Sequence, residues 1–161
     1  VKVLDIVVCS EEEMEQLGTA IAQVLEAGDL VYLIGDLGVG KTTLARGIAR
    51  GLGYKGRVNS PTFVIMNIYE NIPPIYHFDF YRLKTDDMLD LGLEDYLDKE
   101  GVILVEWPQA GEKILPREAL VISISLIGGD YDRERTVNVS ARGKRYRQKL
   151  EELKCGADIS D

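Results

Sequence analysis

Two rhythms of apolar positions run along the chain. In residues 9–28, "CSEEEMEQLGTAIAQVLEAG", the apolar Met14, Leu17, Ile21, Val24 and Leu25 recur at a spacing that puts them on one helical face. Ser10 and Glu13 form a capping box, and Gly28 is a stop signal, so the pattern predicts a helix ended by that glycine. "LVYLI" at Leu30–Ile34 is apolar throughout, which marks a buried strand. Helical spacing returns in "TLARGIARGLG".

The second rhythm has a period of two. "TFVIMNIYE" and "IYHFDFYRL", separated by "NIPP", predict an antiparallel hairpin. In the second of these strands Tyr76, Phe78 and Phe80 fall on one face, while His77, Asp79 and Tyr81 fall on the other. One face suits packing and the other can present polar groups. "TDDMLDLGLEDYLDKEG" reads as an acidic surface helix weakened by a central glycine. "VILVEW" is a short apolar strand ending at Glu106, which suits the centre of a parallel sheet. "ALVISISL" and "RTVNVS" flank "GGDYD" and predict a second hairpin; "GKRYRQKLEELK" predicts a closing helix with a frayed end beyond it.

Between the first buried strand and the helix after it lies "GDLGVGKTT". The spacing Gly35-x-x-x-x-Gly40-Lys41-Thr42 is that of a phosphate-binding loop in its strand–loop–helix setting. Glycines let backbone N–H groups turn inward around an oxyanion, where a Cβ would block the required φ > 0. Lys41 is suited to reach terminal phosphates, and the Thr42 hydroxyl to ligate Mg²⁺. The expected architecture is therefore α/β: a P-loop NTPase-like three-layer fold with a central, mostly parallel sheet extended by antiparallel strands. The opening helix is an additional element ahead of that nucleotide core.

A nucleotide–Mg²⁺ complex needs further oxygen ligands. Glu106 ends a core strand, near the edge where parallel sheets bind ligands, although Asp is the commoner acid there. Asp79 is the competitor, able to orient an attacking water or hold the metal through water. His77, the sole histidine, reads on its own as a hydrogen-bonded structural residue. "NSPTF" at residues 59–63 is either an ordinary turn or a switch segment sensing a γ-phosphate. Trp107 suits stacking with a partner or packing against the nucleotide region, and core packing at least as well.

At 161 residues with 45% apolar content, the chain has the size and make-up of one globular domain over residues 1–161, with 142–161 as closing helix and tail. No run of 18 uncharged apolar residues suggests a membrane span, and the start lacks a cleavable signal pattern. Cys9 and Cys155 have no metal-ligand spacing, so a reduced cytoplasmic protein is the expectation. The net charge is −8, yet residues 133–149 carry +6 and the remainder −14. An acidic body of that size disfavours independent binding to nucleic acid. The basic stretch reads as a solvated helix face, or as a contact for RNA or an acidic protein.

"GDLGVGKTT", "SPTF", "HFDFYRL" and "EW", in this order and behind a leading helix, closely resemble the bacterial TsaE (YjeE) family. The resemblance covers about residues 10–140. It implies an ATPase in the biosynthesis of threonylcarbamoyladenosine, the modified adenosine after the anticodon of certain tRNAs. Such a protein is not the transferase. It acts on the TsaB–TsaD pair and uses ATP hydrolysis to sustain that pair's turnover, with tRNA met only through the partners, no membrane, and a monomer possible when alone. Carried over residue by residue, Gly38, Val39, Gly40, Lys41, Thr42 and Thr43 would hold the phosphates, with Lys41 also serving catalysis. Thr42 and Glu106 would hold Mg²⁺, Asp79 would act on water, and Thr62 would belong to the switch. Trp107 matches the family's tryptophan near the nucleotide. Glu11 beside adenine and Arg135 after the last hairpin turn rest on position alone. The rival enzyme reading is a small-molecule kinase, disfavoured by the leading helix and by the lack of an arginine-rich lid. A third reading is a nucleotide-dependent binding module that does not hydrolyse ATP.

Overall fold

The computed structural model describes residues 3–59, 66–81, 92–97 and 100–156. In chain order the elements are β1 (Val3–Val8), α1 (Glu11–Ala22), β2 (Leu30–Ile34), α2 (Lys41–Gly51), β3 (Met66–Tyr69) and β4 (Ile75–Asp79). They continue with α3 (Leu93–Leu97), β5 (Val102–Glu106), β6 (Ala119–Leu126), β7 (Arg135–Arg142) and α4 (Lys144–Gly156). All seven described strands form one sheet in the order β1-β7-β6-β2-β5-β4-β3.

The centre is parallel: β2 pairs with β5 and β6, and β4 pairs with β5. Antiparallel β7 and β1 extend one side, and antiparallel β3 extends the other. This is the mixed α/β sheet expected from the pattern. The apolar runs of β2 and β5 occupy its middle because strands covered on both faces have no solvent side to reserve for polar residues.

The β4 alternation separates the two faces. His77 points toward Glu106, on the α2 side. Phe78 points the other way, packing edge-on against Phe80 and Tyr96, while Tyr76 also meets Tyr96. Helices therefore cover both faces, giving three layers.

Helix α1 begins where the capping box predicts: the Glu13 N–H donates to Ser10 Oγ at 3.1 Å. It stops at Ala22, six residues short of Gly28, and Val24 and Leu25 follow in tight turns onto Ile21 and Ala22. Helix α1 lies directly on α2 because both helices present glycine at the crossing. A Cβ on Gly47 would overlap the Glu15 carbonyl, and one on Gly18 would lie 2.5 Å from the Leu44 carbonyl oxygen. The leading helix thus braces the helix that carries the phosphate loop.

Strand β1 is an element the pattern did not predict. Its Ile6 and Val8 point into the core while Val3, Asp5 and Val7 are exposed, and it closes the sheet edge against β7. Of the expected acidic helix, residues 92–97, 100 and 101 fall within the described residues and Leu93–Leu97 is helical; the early part of the first hairpin strand lies outside them. The closing helix runs two residues past its expected end and includes Cys155. No described helix is long and apolar enough to cross a membrane.

Candidate functional site

The site forms at the carboxyl edge of the parallel strands, where β2 runs into the loop and β5 ends at Glu106. Gly38 and Gly40 have φ of 79° and 117°, a conformation that side chains with a Cβ rarely adopt. Gly40 is the N-cap of α2, so the helix opens with free N–H groups aimed at the loop and a favourable dipole for an anion. Val39 and Thr43 are buried beneath the loop, and Thr42 stays partly exposed.

Lys41 is the centre of this end. Its Nζ donates to the Gly35 carbonyl at 2.6 Å, sits 4.0 Å above the Trp107 ring, and lies 4.0 Å from Glu106 Oε1. Only 5% of Lys41 is exposed, and burial pushes its pKa down, opposed by Glu106, Asp79 and Asp36. Asp79 lies beside Glu106 in the β4–β5 register. Its Oδ1 accepts from the Tyr81 N–H at 2.9 Å. Burial pushes Asp79 above the ordinary carboxylate range; the Tyr81 hydrogen bond opposes this, Glu106 adds to it, and Lys41 and His77 pull back.

Trp107 has φ 57° and ψ 51°, a left-handed backbone unusual for a bulky residue, and this turns the chain sharply into the 3-10 turn Pro108–Gly111. Its ring packs on Tyr81 at 4.8 Å as well as under Lys41, and its indole Nε1 is buried with no hydrogen-bond partner among the described residues. The ring thus packs within the protein at the mouth of the loop, between Tyr81 and Lys41.

Beside the loop lies a cavity of about 250 Å³. It is bordered by Glu11 at the start of α1, by Gly38–Gly40, by Tyr131 and by Arg135. The two positions drawn from placement alone, Glu11 and Arg135, thus converge on one cleft. Arg135 is tied to the loop by donating from Nε to the Val39 carbonyl at 3.2 Å. Thr62 and the rest of residues 60–65 lie outside the described residues.

A metal held here would draw on few protein groups. Among the described residues, no three His, Cys, Asp or Glu side chains are arranged to hold a metal by themselves. Thr42, Glu106 and neighbouring Asp79 are hard oxygen donors beside an anion cradle. That set fits Mg²⁺, which keeps several waters and takes one or two protein ligands plus substrate phosphates.

A family model described as "Threonylcarbamoyl adenosine biosynthesis protein TsaE" matches residues 8–137. The chain belongs to the TsaE family. Among curated members, the Bacillus subtilis (strain 168) protein is 43% identical over 151 residues, covering 93% of each chain. The Streptomyces coelicolor protein is 44% identical over 139 residues, covering 83% of this chain and 93% of its own. Each of these two is named tRNA threonylcarbamoyladenosine biosynthesis protein TsaE. The crystal structure of Bacillus subtilis YdiB superposes with a TM-score of 0.84 at 38% identity, over 97% of both chains.

The TsaE match includes the loop, Asp79, Glu106 and Arg135 and ends before α4. Tyr131 and Met14 are among the cleft residues that the sequence reading missed. Tyr131 donates its hydroxyl to the Leu37 carbonyl at 3.0 Å and its ring covers Gly38, so the β6–β7 turn clamps the loop. Met14 packs against Gly40, where a Cβ would come within 3.1 Å of its Cε. Tyr131 sits in "GGDYD", whose turn-forming residues concealed a tyrosine placed to reach back. Met14 was read only as part of the apolar face of α1.

Proposed function

We propose that this chain binds Mg-ATP and hydrolyses it in support of threonylcarbamoyladenosine formation on tRNA, acting on the TsaB–TsaD pair without performing the transfer. The observation that carries this reading is the junction of Lys41, Glu106 and Asp79 at the mouth of a glycine-lined anion cradle. The names of the curated relatives support the tRNA-modification setting.

In the reaction, Lys41 exchanges its Gly35 carbonyl for phosphate oxygens and compensates their charge. The backbone N–H groups of Gly38–Thr43 receive the remaining oxygens. Thr42 and Glu106 would hold Mg²⁺, which would supply neutralisation of phosphate charge. Asp79 orients water in line with the γ-phosphorus, and its raised pKa suits brief acceptance of a proton. Glu11, Arg135 and Tyr131 border the cavity available to the nucleoside.

The deciding measurement is phosphate release from ATP, with and without the purified TsaB–TsaD pair and with no other acceptor. Mg²⁺-dependent release that the pair accelerates is the expected result. Release that requires an added small-molecule acceptor would make the chain a kinase. No release under any condition would leave a nucleotide-dependent binding module.

A further inference from the structure

Glu106 carries one more methylene than the aspartate common at this position, and so one more torsion to be fixed before its carboxylate can serve a metal. The structure shows what fixes it. Glu106 Oε2 lies 2.7 Å from His77 Nε2, and both residues are buried, at 3% and 0% exposure. The other oxygen, Oε1, is the one directed toward Lys41 and the phosphate cradle, at 4.0 Å. The carboxylate is thus divided between a holding side and a working side.

The imidazole is itself fixed. Nδ1 lies 2.9 Å from the Tyr69 hydroxyl on β3, and the Tyr69 ring packs at 5.9 Å from the imidazole and 5.0 Å from Tyr54. Tyr69 in turn lies 3.1 Å from the Asn59 carbonyl, which Asn67 also engages at 3.1 Å. Both ring nitrogens are thus engaged by protein groups, Nε2 by the Glu106 carboxylate and Nδ1 by the Tyr69 hydroxyl, and neither remains for substrate. A fully buried histidine with both nitrogens committed is not an acid or base for ATP.

We propose that His77, anchored by Tyr69, is a positioning residue that holds Glu106 with one oxygen presented to the nucleotide-bound metal. The proposal rests on the Mg-ATP reading above, and goes beyond it by extending the metal site outward by two residues on neighbouring strands. Partners that orient a metal ligand are worth about 10–100-fold in metal affinity when removed.

The test is Mn²⁺ binding to the ADP complex, followed by electron paramagnetic resonance, with ADP affinity in chelator as the control. His77→Leu should weaken Mn²⁺ by about 10–100-fold while metal-free ADP affinity holds within about twofold. Tyr69→Phe should weaken it less, and His77→Gln, which retains an N–H donor, should recover part of the loss. In a Glu106→Gln background His77→Leu should add nothing further. Unchanged Mn²⁺ affinity in His77→Leu overturns the proposal, as does an equal loss of metal-free ADP affinity. Should His77→Leu fail to fold, unchanged affinity in both Tyr69→Phe and His77→Gln overturns it. If ADP and ATP bind the wild type with no metal dependence, the Mg-ATP reading falls and the proposal falls with it. Mn²⁺ affinity undiminished by Glu106→Gln overturns only the role of the His77–Glu106 pair.

Discussion

Strand β2 begins at one charge cluster and ends at another, and the two are built on opposite terms. At its start Asp29, fully buried, accepts from Arg145 Nε at 2.8 Å, meets Lys149 Nζ at 2.9 Å and accepts the Glu26 N–H at 2.7 Å. Lys149 also donates to the Val24 carbonyl and to Glu26 Oε1. Every charge there has an opposite charge in contact, and the cluster fastens α4 to the turn after α1. At the far end Lys41 faces Glu106 and Asp79 at the edge of the sheet, and burial drives Lys41 and Asp79 each toward its uncharged form. A closed cluster stabilises a fold. An open one has charge to offer a ligand, and strain of this kind concentrates where chemistry occurs.

Asp79→Asn should produce the largest change. If Asp79 acts on water, phosphate release should fall by about 10²–10⁴-fold, with Mg-ATP affinity retained. Single-turnover hydrolysis alongside calorimetry checks both halves, and a matching loss of affinity would move Asp79 to the metal. At the closed end, Asp29→Ala leaves two cations without their shared partner. Unfolding in urea should show a loss of about 3 kcal/mol, with nucleotide affinity of the folded protein unchanged. Lys41→Ala reverses that pattern: Mg-ATP affinity should drop by about 10–100-fold, the worth of a charge-assisted phosphate contact, with little loss of stability. A strongly destabilised Lys41→Ala protein would mean that this end is also structural.

Sequence pattern reached the open cluster far better than the closed one, for a physical reason. The loop, the His77/Asp79 face and the apolar run into Glu106 are local signals, readable within a few residues because a strand alternates and a cradle needs glycine. Asp29 and Arg145 are 116 positions apart and belong to no period. The basic run at 133–149 therefore read as a solvated face or a contact for RNA or an acidic protein, whereas Arg145 and Lys149 engage Asp29; Arg135, matched by position alone, engages the loop. The His77–Glu106 contact was hidden likewise: alternation placed His77 on the right face but could not supply its neighbour. Strand β1 escaped because "VLDIVV" has a single polar residue to reveal its alternation.

The smallest expected effect separates the clusters by the sign of their pH dependence. Asp79 has its pKa raised in the folded state, so the folded protein binds more protons than the unfolded chain between the two values. Its ionisation therefore costs stability as pH rises through the folded pKa. Asp79→Asn removes that cost, so its melting temperature should exceed the wild type's at neutral pH, with the gap closing on acidification. Glu26 is the opposite case. Its hydrogen bond to Lys149, aided by that lysine's charge, lowers its pKa, and the resulting stability is present above the ordinary carboxylate range and lost as pH falls through the lowered value. Glu26→Gln should melt slightly below the wild type at neutral pH, and this gap too should close in acid. Thermal melts of the three proteins from neutral pH to well below the ordinary carboxylate range, about pH 2–3, measure both gaps and their closure. Two gaps of the same sign would mean that the ends of β2 do not differ as their geometry requires.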